Sequence, residues 1–172
     1  MTETASGAAF VFGDNIDTDV LAPGHLMKLR PEELARHCLE AVDPAFARKV
    51  KPGDYMIGGR NFGMGSSREQ AAISLKCLGV RAVIAQSFAR IFYRNAMNIG
   101  LLAVVVPEAE RIRPADRLIL KPEAGEIQNL TQRCSYRCRP VPPHLMKMIE
   151  DGGLIAHLKQ RLSVANSAGM SD

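Results

Sequence analysis

The amino-acid sequence predicts an α/β fold in which a mixed β-sheet is flanked by helices. Between residues 55 and 106, short apolar runs alternate with helical segments, which favours parallel strands joined by right-handed crossovers. Beyond residue 107 the pattern changes to three short β segments. A chain of 172 residues with 47% hydrophobic content is about the size of one domain. We therefore expect a single domain over residues 1–162 and a flexible C-terminal tail over residues 163–172.

The elements predicted before residue 80 follow from apolar spacing and turn residues. The run 8–12 is apolar and leads into Gly13-Asp14-Asn15, which predicts a strand entering a polar turn. Pro31 stands at a favoured first position of a helix, and apolar residues recur at helical spacing over residues 32–39. The other elements predicted in this part are a short helix at 43–48, a strand at 55–57 and a helix at 68–78.

The elements predicted after residue 80 divide into two groups. A strand at 82–85, a helix at 88–98 and a strand at 101–106 continue the alternation that favours parallel pairing. Pro107 closes this run. The remaining predicted elements are β segments at 117–120, 126–130 and 135–139, followed by helices at 142–150 and 154–162.

A glycine-rich loop joined to a helix start is the most informative segment. Residues 58–69 read Gly-Gly-Arg-Asn-Phe-Gly-Met-Gly-Ser-Ser-Arg-Glu. Glycine lets the backbone approach a ligand closely, and the unpaired N–H groups of a helix start favour a carboxylate or phosphate. Arg68 would add a bidentate clamp. The segment predicts a binding site for a small anion. The alternative is a capping box, formed by Ser66 and Glu69, that only begins the helix.

Composition and charge argue against several classes of function. The net charge is +4, the basic residues are scattered, and the chain has no Trp and three Tyr. The sequence therefore lacks the basic stripe and the aromatic row that nucleic-acid binding requires. No apolar run approaches the roughly 18 residues that span a bilayer. The glycine loop also lacks the Gly-Lys-Ser/Thr ending of a nucleotide P-loop. We expect small acidic ligands, no nucleic acid and no membrane.

The cysteines predict a reduced, cytoplasmic protein. The chain has four cysteines and no Cys-x-x-Cys pair. Cys134 and Cys138 have a spacing that would suit a metal, but no His or second pair lies nearby in the sequence to complete a tetrahedral set. We expect plain thiols, no metal site in this chain and a cytoplasmic location.

Three segments together resemble a known family. Residues 13–19 read Gly-Asp-Asn-Ile-Asp-Thr-Asp, residues 59–69 contain Gly-Ser-Ser-Arg, and residues 87–95 read Ser-Phe-Ala-Arg-Ile-Phe-Tyr-Arg-Asn, with Asn-Ile-Gly-Leu at 98–101. In order and spacing, over roughly residues 8–160, the chain resembles the swivel domain of the aconitase superfamily. It is most similar to the separately encoded small subunits of 3-isopropylmalate dehydratase and their homoaconitase-like relatives. The resemblance implies an aconitase swivel-type β/β/α domain.

The resemblance implies a hydro-lyase that isomerises a hydroxy di- or tricarboxylic acid by dehydration to an alkene and rehydration. In this family the reaction is most often the conversion of 2-isopropylmalate to 3-isopropylmalate in leucine biosynthesis. The chemistry needs a strong base, positive groups beside the substrate carboxylate and a Lewis acid for the departing hydroxide. The alternatives are a homoaconitase or dimethylmalate-type dehydratase small subunit, a free-standing anion-binding or regulatory module, and an RNA-binding protein.

The Gly-Ser-Ser-Arg motif carries the catalytic roles that the resemblance implies. Ser66 corresponds to the family's base, which acts as a serine alkoxide. Serine is a poor base unless its oxyanion is stabilised, and a helix N-terminus beside Arg68 supplies a field of the right sign. Ser67 and Arg68 correspond to residues that hold a substrate carboxylate.

The Asp-Thr-Asp turn carries the acidic groups of the motif. Asp19 corresponds to a substrate-binding acid that lies beside the substrate and its arginines. Asp17, together with Gly63 and Gly65, is expected to support the loops. The alternative for both aspartates is an Asx-turn without a catalytic role.

The resemblance also implies a partner protein. In the family a [4Fe-4S] cluster, held by three cysteines of a large subunit, is the Lewis acid. The cysteines of this chain lack the spacing and positions of those ligands. We therefore expect no cofactor bound by this chain, and a heterodimer or dimer of heterodimers with a cluster-bearing large subunit.

Substrate choice in these small subunits lies in the loop after the first strand, here Pro-Gly-His-Leu-Met-Lys-Leu-Arg at residues 23–30. Leu26 and Met27 replace the Tyr-Leu of the family pattern and favour an alkyl pocket, whereas Lys28 would bind a substrate carboxylate. The two cues disagree, so the exact substrate stays open, and a solvated loop is the alternative for Lys28. Arg90 and Arg94 share one predicted helix face, and we expect a structural role, toward either the partner or local acids.

Overall fold

The structure, a computed structural model, describes residues 5–169, and their strands form one mixed sheet of seven. The order across the sheet is β4-β3-β2-β1-β5-β6-β7. The strands are β1 (Gly7–Val11), β2 (Tyr55–Gly58), β3 (Ala82–Ala85), β4 (Leu102–Val105), β5 (Arg117–Lys121), β6 (Glu126–Asn129) and β7 (Cys134–Arg137).

Strands β1 to β4 are parallel, as the alternation of strands and helices predicted. Every residue of β2 and β3 is buried, which is the pattern of central parallel strands covered on both faces. Because each crossover returns the chain to the same edge, the loops that follow β1, β2 and β3 leave the sheet side by side. These loops carry the motifs that the sequence singled out.

Strands β5, β6 and β7 form the antiparallel half of the sheet, and β5 joins it to β1. The Tyr55 hydroxyl accepts a hydrogen bond from the Leu120 amide at 3.1 Å, so a buried side chain of the parallel half also links the two halves. Tyr55 is fully buried and belongs to the hydrophobic core that both halves share.

Helices flank the sheet, as predicted. Helix α4 packs against α1, α2 and α5, and α7 packs against α5 and α6. The helices are α1 (Thr18–Leu21), α2 (Pro31–Ala35), α3 (Phe46–Lys49), α4 (Glu69–Cys77), α5 (Arg90–Asn98), α6 (Pro143–Glu150) and α7 (Leu154–Ala168). Among these described helices, none has both the length and the apolar character needed to cross a bilayer.

Two helices differ from their predicted lengths. Helix α2 ends at Ala35, before the predicted residue 39, because the Leu39 amide donates instead to the Val20 carbonyl at 2.9 Å and Leu39 takes a left-handed backbone with φ 60°. At the C-terminus, residues 163–168 were expected in a flexible tail and are helical, as part of α7. Ala165 and Ala168 favour the helix here, and the Ser163 hydroxyl donates to the Gln160 carbonyl at 2.8 Å. Residues 170–172 of the expected tail lie outside the described residues, and the domain limits stay a prediction.

Candidate active site

The candidate site lies at the carboxyl ends of the parallel strands, where ligands of open α/β sheets ordinarily bind. Backbone hydrogen bonds tie the three motif loops together. The Gly63 amide donates to the Ile16 carbonyl at 2.8 Å, and the Phe62 amide donates to the Ser87 carbonyl at 3.0 Å. The three segments that carry the family resemblance are thus brought together.

Two glycines allow the loops to approach each other. Gly63 has φ 82°, and a Cβ at this position would overlap the ring of Phe92. Gly65 has φ 103°, and its Cβ would lie 2.7 Å from the Asp17 carboxylate. Both positions require glycine, because an L side chain rarely adopts such a backbone conformation and has no room here.

Asp17 lies between the two loops. Its carboxylate accepts from the Asp19 amide at 2.7 Å and caps α1. The adjacent Thr18 amide donates to the Met64 carbonyl of the glycine loop at 2.8 Å. Asp17 therefore makes the local Asx contact and also packs closely on Gly65. Both contacts suit a residue that supports the two loops.

Ser66 is exposed and positioned by a buried threonine. The hydroxyls of Ser66 and Thr18 lie 3.4 Å apart, and the Thr18 hydroxyl donates to the Ser66 carbonyl at 3.1 Å. Thr18 is 1% exposed, so its side chain is held in place, whereas Ser66 is an exposed residue. A hydroxyl can rotate to donate or accept, so Thr18 is able to hydrogen-bond either form of Ser66.

The capping-box alternative is wrong, because α4 begins at Glu69 with Arg68 as its N-cap residue and without a side-chain cap. No side chain therefore accepts a hydrogen bond from the backbone amides that lead into α4. Within the described part of the chain, those without a hydrogen-bond partner are the amides of Gly65, Ser66, Ser67, Glu69 and Gln70. Such a run of free N–H groups before a helix attracts an anion.

Arg68 and Asp19 form an ion pair beside Ser66. Arg68 Nη1 donates to Asp19 Oδ1 at 2.6 Å and to the Ala22 carbonyl at 3.1 Å. The Arg68 side chain is 26% exposed and that of Asp19 is 62% exposed. Because a pair this exposed contributes little to stability, its effect is to orient the guanidinium. No described group occupies Nη2 or Nε of Arg68, which leaves one face of the fork for a carboxylate.

The same contacts set the protonation state of Asp19. The hydrogen bond from Arg68, with a further one from the Gly24 amide, lowers the pKa of Asp19 below its ordinary value of 3.8. Asp19 is therefore a carboxylate at neutral pH. The local charge of Arg68 and Asp19 together is close to neutral, and the free amides of the loop add a partial positive charge.

The structure does not join every candidate to this cluster. Lys28 is exposed, and its ammonium contacts no acid within residues 5–169. The sequence also led us to expect Arg60 beside Arg68 at the start of α4, but Arg60 lines a different cleft, with Asp14 and Glu110. Ser67 is exposed and adjoins the free amides.

Sequence reasoning missed three groups that position the site: the Thr18 hydroxyl, the Ala22 carbonyl and the Gly24 amide. Thr18 stands in the middle of the Asp-Thr-Asp turn, which is a local signal that would have indicated it. The other two are backbone groups and leave no mark in the residue types.

The site is an open surface. The structure describes clefts along β4, beside α6 and below Arg60, and each is lined by residues other than Ser66, Ser67 and Arg68. The hydroxyls and the guanidinium lie at the surface, so a second body can cover them.

The cysteines of this chain, within residues 5–169, do not gather as the ligands of a [4Fe-4S] cluster would. Burial raises the pKa of Cys38 and of Cys138, and burial with the charge of Glu32 raises that of Cys77, so these thiols stay protonated at neutral pH. Within residues 5–169, no three or more His, Cys, Asp and Glu side chains gather as metal ligands would.

Comparison with known proteins gives concordant matches. Residues 18–109 match the family model of the aconitase C-terminal domain. The chain is 48% identical over 160 residues to a 3-isopropylmalate dehydratase small subunit of Thermodesulfovibrio yellowstonii, covering 92% of this chain and 95% of the relative. It is 44% identical over 165 residues to an isopropylmalate/citramalate isomerase small subunit of Methanocaldococcus jannaschii, covering 95% and 98%.

The fold matches as well. A crystal structure of 3-isopropylmalate dehydratase from Methanocaldococcus jannaschii superposes with a TM-score of 0.89 at 39% identity, covering 95% of this chain and 98% of the other. The match extends over both halves of the sheet. The chain therefore belongs to the family of 3-isopropylmalate dehydratase small subunits, within the aconitase superfamily.

Proposed function

We propose that this chain is the small subunit of a 3-isopropylmalate dehydratase, the hydro-lyase that converts 2-isopropylmalate to 3-isopropylmalate in leucine biosynthesis. The observation that carries the proposal is the exposed cluster of Ser66, Arg68 and Asp19 at the carboxyl ends of the parallel strands. It occurs in a chain that is 48% identical, over 92% of its length, to a small subunit of that name.

Ser66 is the proposed base. Its alkoxide takes the proton from the substrate carbon next to a carboxylate and returns it during rehydration. The buried Thr18 hydroxyl, 3.4 Å away, would donate to that alkoxide by rotating its one proton away from the Ser66 carbonyl. The free amides of Ser67, Glu69 and Gln70 add positive potential, which favours the ionised form of Ser66.

Arg68 and Ser67 are the proposed carboxylate site. As the proton leaves carbon, negative charge builds up on the adjacent carboxylate, and a preorganised guanidinium stabilises that charge. Arg68 is preorganised because Asp19 and the Ala22 carbonyl hold Nη1, while Nη2 and Nε are open. Asp19 thus serves by positioning Arg68.

A large subunit must complete the site. The open surface, and thiols that do not fit a cluster, support a partner that supplies the [4Fe-4S] Lewis acid and the opposite wall. We propose a heterodimer or a dimer of heterodimers, active in the cytoplasm. The four cysteines are all free, which agrees with a reduced compartment.

The loop at residues 23–30 is the proposed determinant of substrate. Leu26 and Met27 are half-buried against the core, so their exposed edges suit the isopropyl group. Lys28 is exposed and free to bind a carboxylate. The homoaconitase and dimethylmalate alternatives, and a free-standing anion-binding module, are not favoured by the relatives' names.

The test is to co-express this chain with the cluster-bearing large subunit, reconstitute the pair anaerobically, and follow the alkene absorbance. We expect turnover with isopropylmalate and citramalate above that with homocitrate or dimethylmalate, and none with the isolated chain. A preference for homocitrate would contradict the assignment of isopropylmalate as the substrate. An assembled pair with an intact cluster that turns over none of these acids would overturn the enzyme.

A further inference from the structure

Strand β4 is an edge strand whose outer backbone groups are unpaired. The Val106 amide donates to the Ala85 carbonyl at 2.9 Å, so even-numbered residues of this strand face β3. Because alternate residues of a strand direct their backbone groups to opposite sides, Ala103 and Val105 face away. Within residues 5–169 no group hydrogen-bonds the N–H or C=O of either residue.

This free edge forms the floor of a groove. The groove, of about 640 Å³, runs between α5 and the segment at residues 139–145. Its walls are mainly apolar, from Phe88, Tyr93, Met97, Val141 and Leu145. Ala103 is 2% exposed whereas Val105 is 42% exposed, so the edge is recessed at one end and opens at the other.

The charge of the groove is one-sided. Arg90 of α5 and Arg139 of the opposite wall are its charged residues, and no Asp or Glu lines it. Neither arginine forms an ion pair within the described residues. The sequence led us to expect a structural role for Arg90, and no local acid provides one. An apolar segment with a carboxylate would complement this groove.

The recessed edge selects the shape of its occupant. Two copies of this chain cannot pair through it, because both edges are set between walls and both carry the same positive charge. A helix satisfies its own backbone and would leave the Ala103 and Val105 groups unpaired. An extended segment fits, because it pairs with the edge and places alternate side chains on the apolar walls.

We propose that the groove binds an extended segment of the large subunit, which adds a strand beside β4 and places a carboxylate between Arg90 and Arg139. This rests on the proposed function for the identity of the partner. It goes beyond that function because it gives the complex an anchor outside the catalytic cluster.

The first test replaces Val105 with Pro, which removes the outward N–H without removing a bond to β3, since edge strands tolerate Pro at such positions. The matched control is Ser135→Pro on β7, the other edge strand. There the Cys138 amide bonds to the Gly125 carbonyl, which turns the Ser135 amide outward. With purified large subunit, we expect Val105→Pro to raise the Kd about 10-fold or more and Ser135→Pro to leave it unchanged.

The second test leaves the backbone intact. Arg90→Glu combined with Arg139→Glu should raise the Kd at least as much, and Arg161→Glu on α7 should not. Hydrogen exchange of the wild-type pair should show protection of residues 103–105 on assembly. Thermal melts of each isolated variant check that it folds.

The outcomes separate this inference from the function. Suppose that Val105→Pro and Ser135→Pro have equal Kd values and that residues 103–105 are not protected in an active pair. This result would contradict the proposed binding role of the groove but not the proposed function. A wild-type chain that binds no large subunit would overturn both. Self-association of the isolated chain that Val105→Pro abolishes would assign the groove to a second copy and overturn the proposed occupant.

Discussion

The parallel and antiparallel halves of the sheet differ in where their connections run. In the parallel half each connection crosses over the sheet, so the loops after β1, β2 and β3 gather at one edge. In the antiparallel half short turns join β5 to β6 and β6 to β7 at opposite ends. One arrangement collects residues from distant parts of the sequence into a surface, and the other does not.

The two halves also place their polar groups differently. In the antiparallel half, Asp116 is buried and accepts from Asn129 at 2.8 Å and from Gln132 at 2.6 Å. In the parallel half, the hydroxyls of Ser66 and Ser67 are exposed beside unpaired amides. Polar groups satisfied internally stabilise a fold, whereas polar groups left open are available to a ligand. Substitution of Asp116 should therefore change stability, whereas substitution of Ser66 or Arg68 should change turnover.

The largest effect is expected at Ser66. Ser66→Ala removes the proposed base and should lower kcat of the reconstituted pair about 1000-fold, within the range of general-base catalysis. The free energy of unfolding and the Kd for the large subunit should not change. Ser135→Ala on β7, an exposed serine of the antiparallel half, is the matched control and should retain full turnover. Near-normal turnover of Ser66→Ala would leave Ser66 without a catalytic role.

The next effect is expected at Arg68. Arg68→Lys keeps the charge but loses the planar fork that reaches Asp19, Ala22 and a carboxylate together. We expect KM to rise about 10- to 100-fold, as for the loss of charge-assisted hydrogen bonds. Steady-state kinetics measure this, with Arg137→Lys on β7 as the control. An unchanged KM would contradict the carboxylate site.

Asp116 tests the antiparallel half of the sheet, where we expect an effect on stability and not on turnover. Burial raises its pKa, but hydrogen bonds from the Arg113 amide, Asn129 and Gln132 outweigh burial, so the pKa lies below the ordinary value of 3.8. Asp116→Asn should lower the free energy of unfolding by about 1–3 kcal/mol at neutral pH, because Arg113, Asn129 and Gln132 all donate to Oδ2 and a neutral amide oxygen is a weaker acceptor than a carboxylate. Turnover of the folded enzyme should stay the same.

The pH dependence gives this prediction its sign. A carboxylate whose pKa is lowered by folding stabilises the protein above its ordinary pKa, and that contribution is lost as the pH falls through the folded value. Urea unfolding should therefore show the gap between wild type and Asp116→Asn narrowing below about pH 4. A gap that does not depend on pH would show that the charge of Asp116 is unimportant.

The smallest effect is expected at Thr18. Thr18→Val removes the hydroxyl that contacts Ser66 and should lower kcat about 5-fold, the effect of one hydrogen bond, with KM unchanged. Thr18→Ser should restore kcat, which a purely structural role would not require. A loss of stability without a change in kcat would place Thr18 among the structural residues.

The fold was predictable where the apolar pattern is local and strong. Strands β2 and β3 and the crossovers around them were predicted from short buried runs, and the sequence match and the fold confirm the family. Helix α1 was missed because it is a four-residue helix that begins inside a polar turn. The early end of α2 depends on the contact between Leu39 and Val20, which lies outside any local window.

The site was predictable in its residue types but not in its contacts. The sequence indicated Ser66, Arg68 and Asp19 through their motifs. The pairing of Arg68 with Asp19 spans 49 positions and exists only because β1 and β2 are neighbours. Backbone groups such as the Ala22 carbonyl have no signature in residue type, so only the folded chain reveals them.

The loop at residues 23–30 is held by hydrogen bonds at its base and by Leu26, Met27 and Leu29, which pack against the core. Arg68 holds the Ala22 carbonyl, and Asp19 accepts from the Gly24 amide, while the side chains of His25 and Lys28 form no hydrogen bond within the described residues. Recognition and chemistry are thereby separable modules. A duplicated copy of the gene can exchange His25 and Lys28, which are exposed, and acquire a new acid without disturbing the proton transfer, and a protein engineer can use the same two positions.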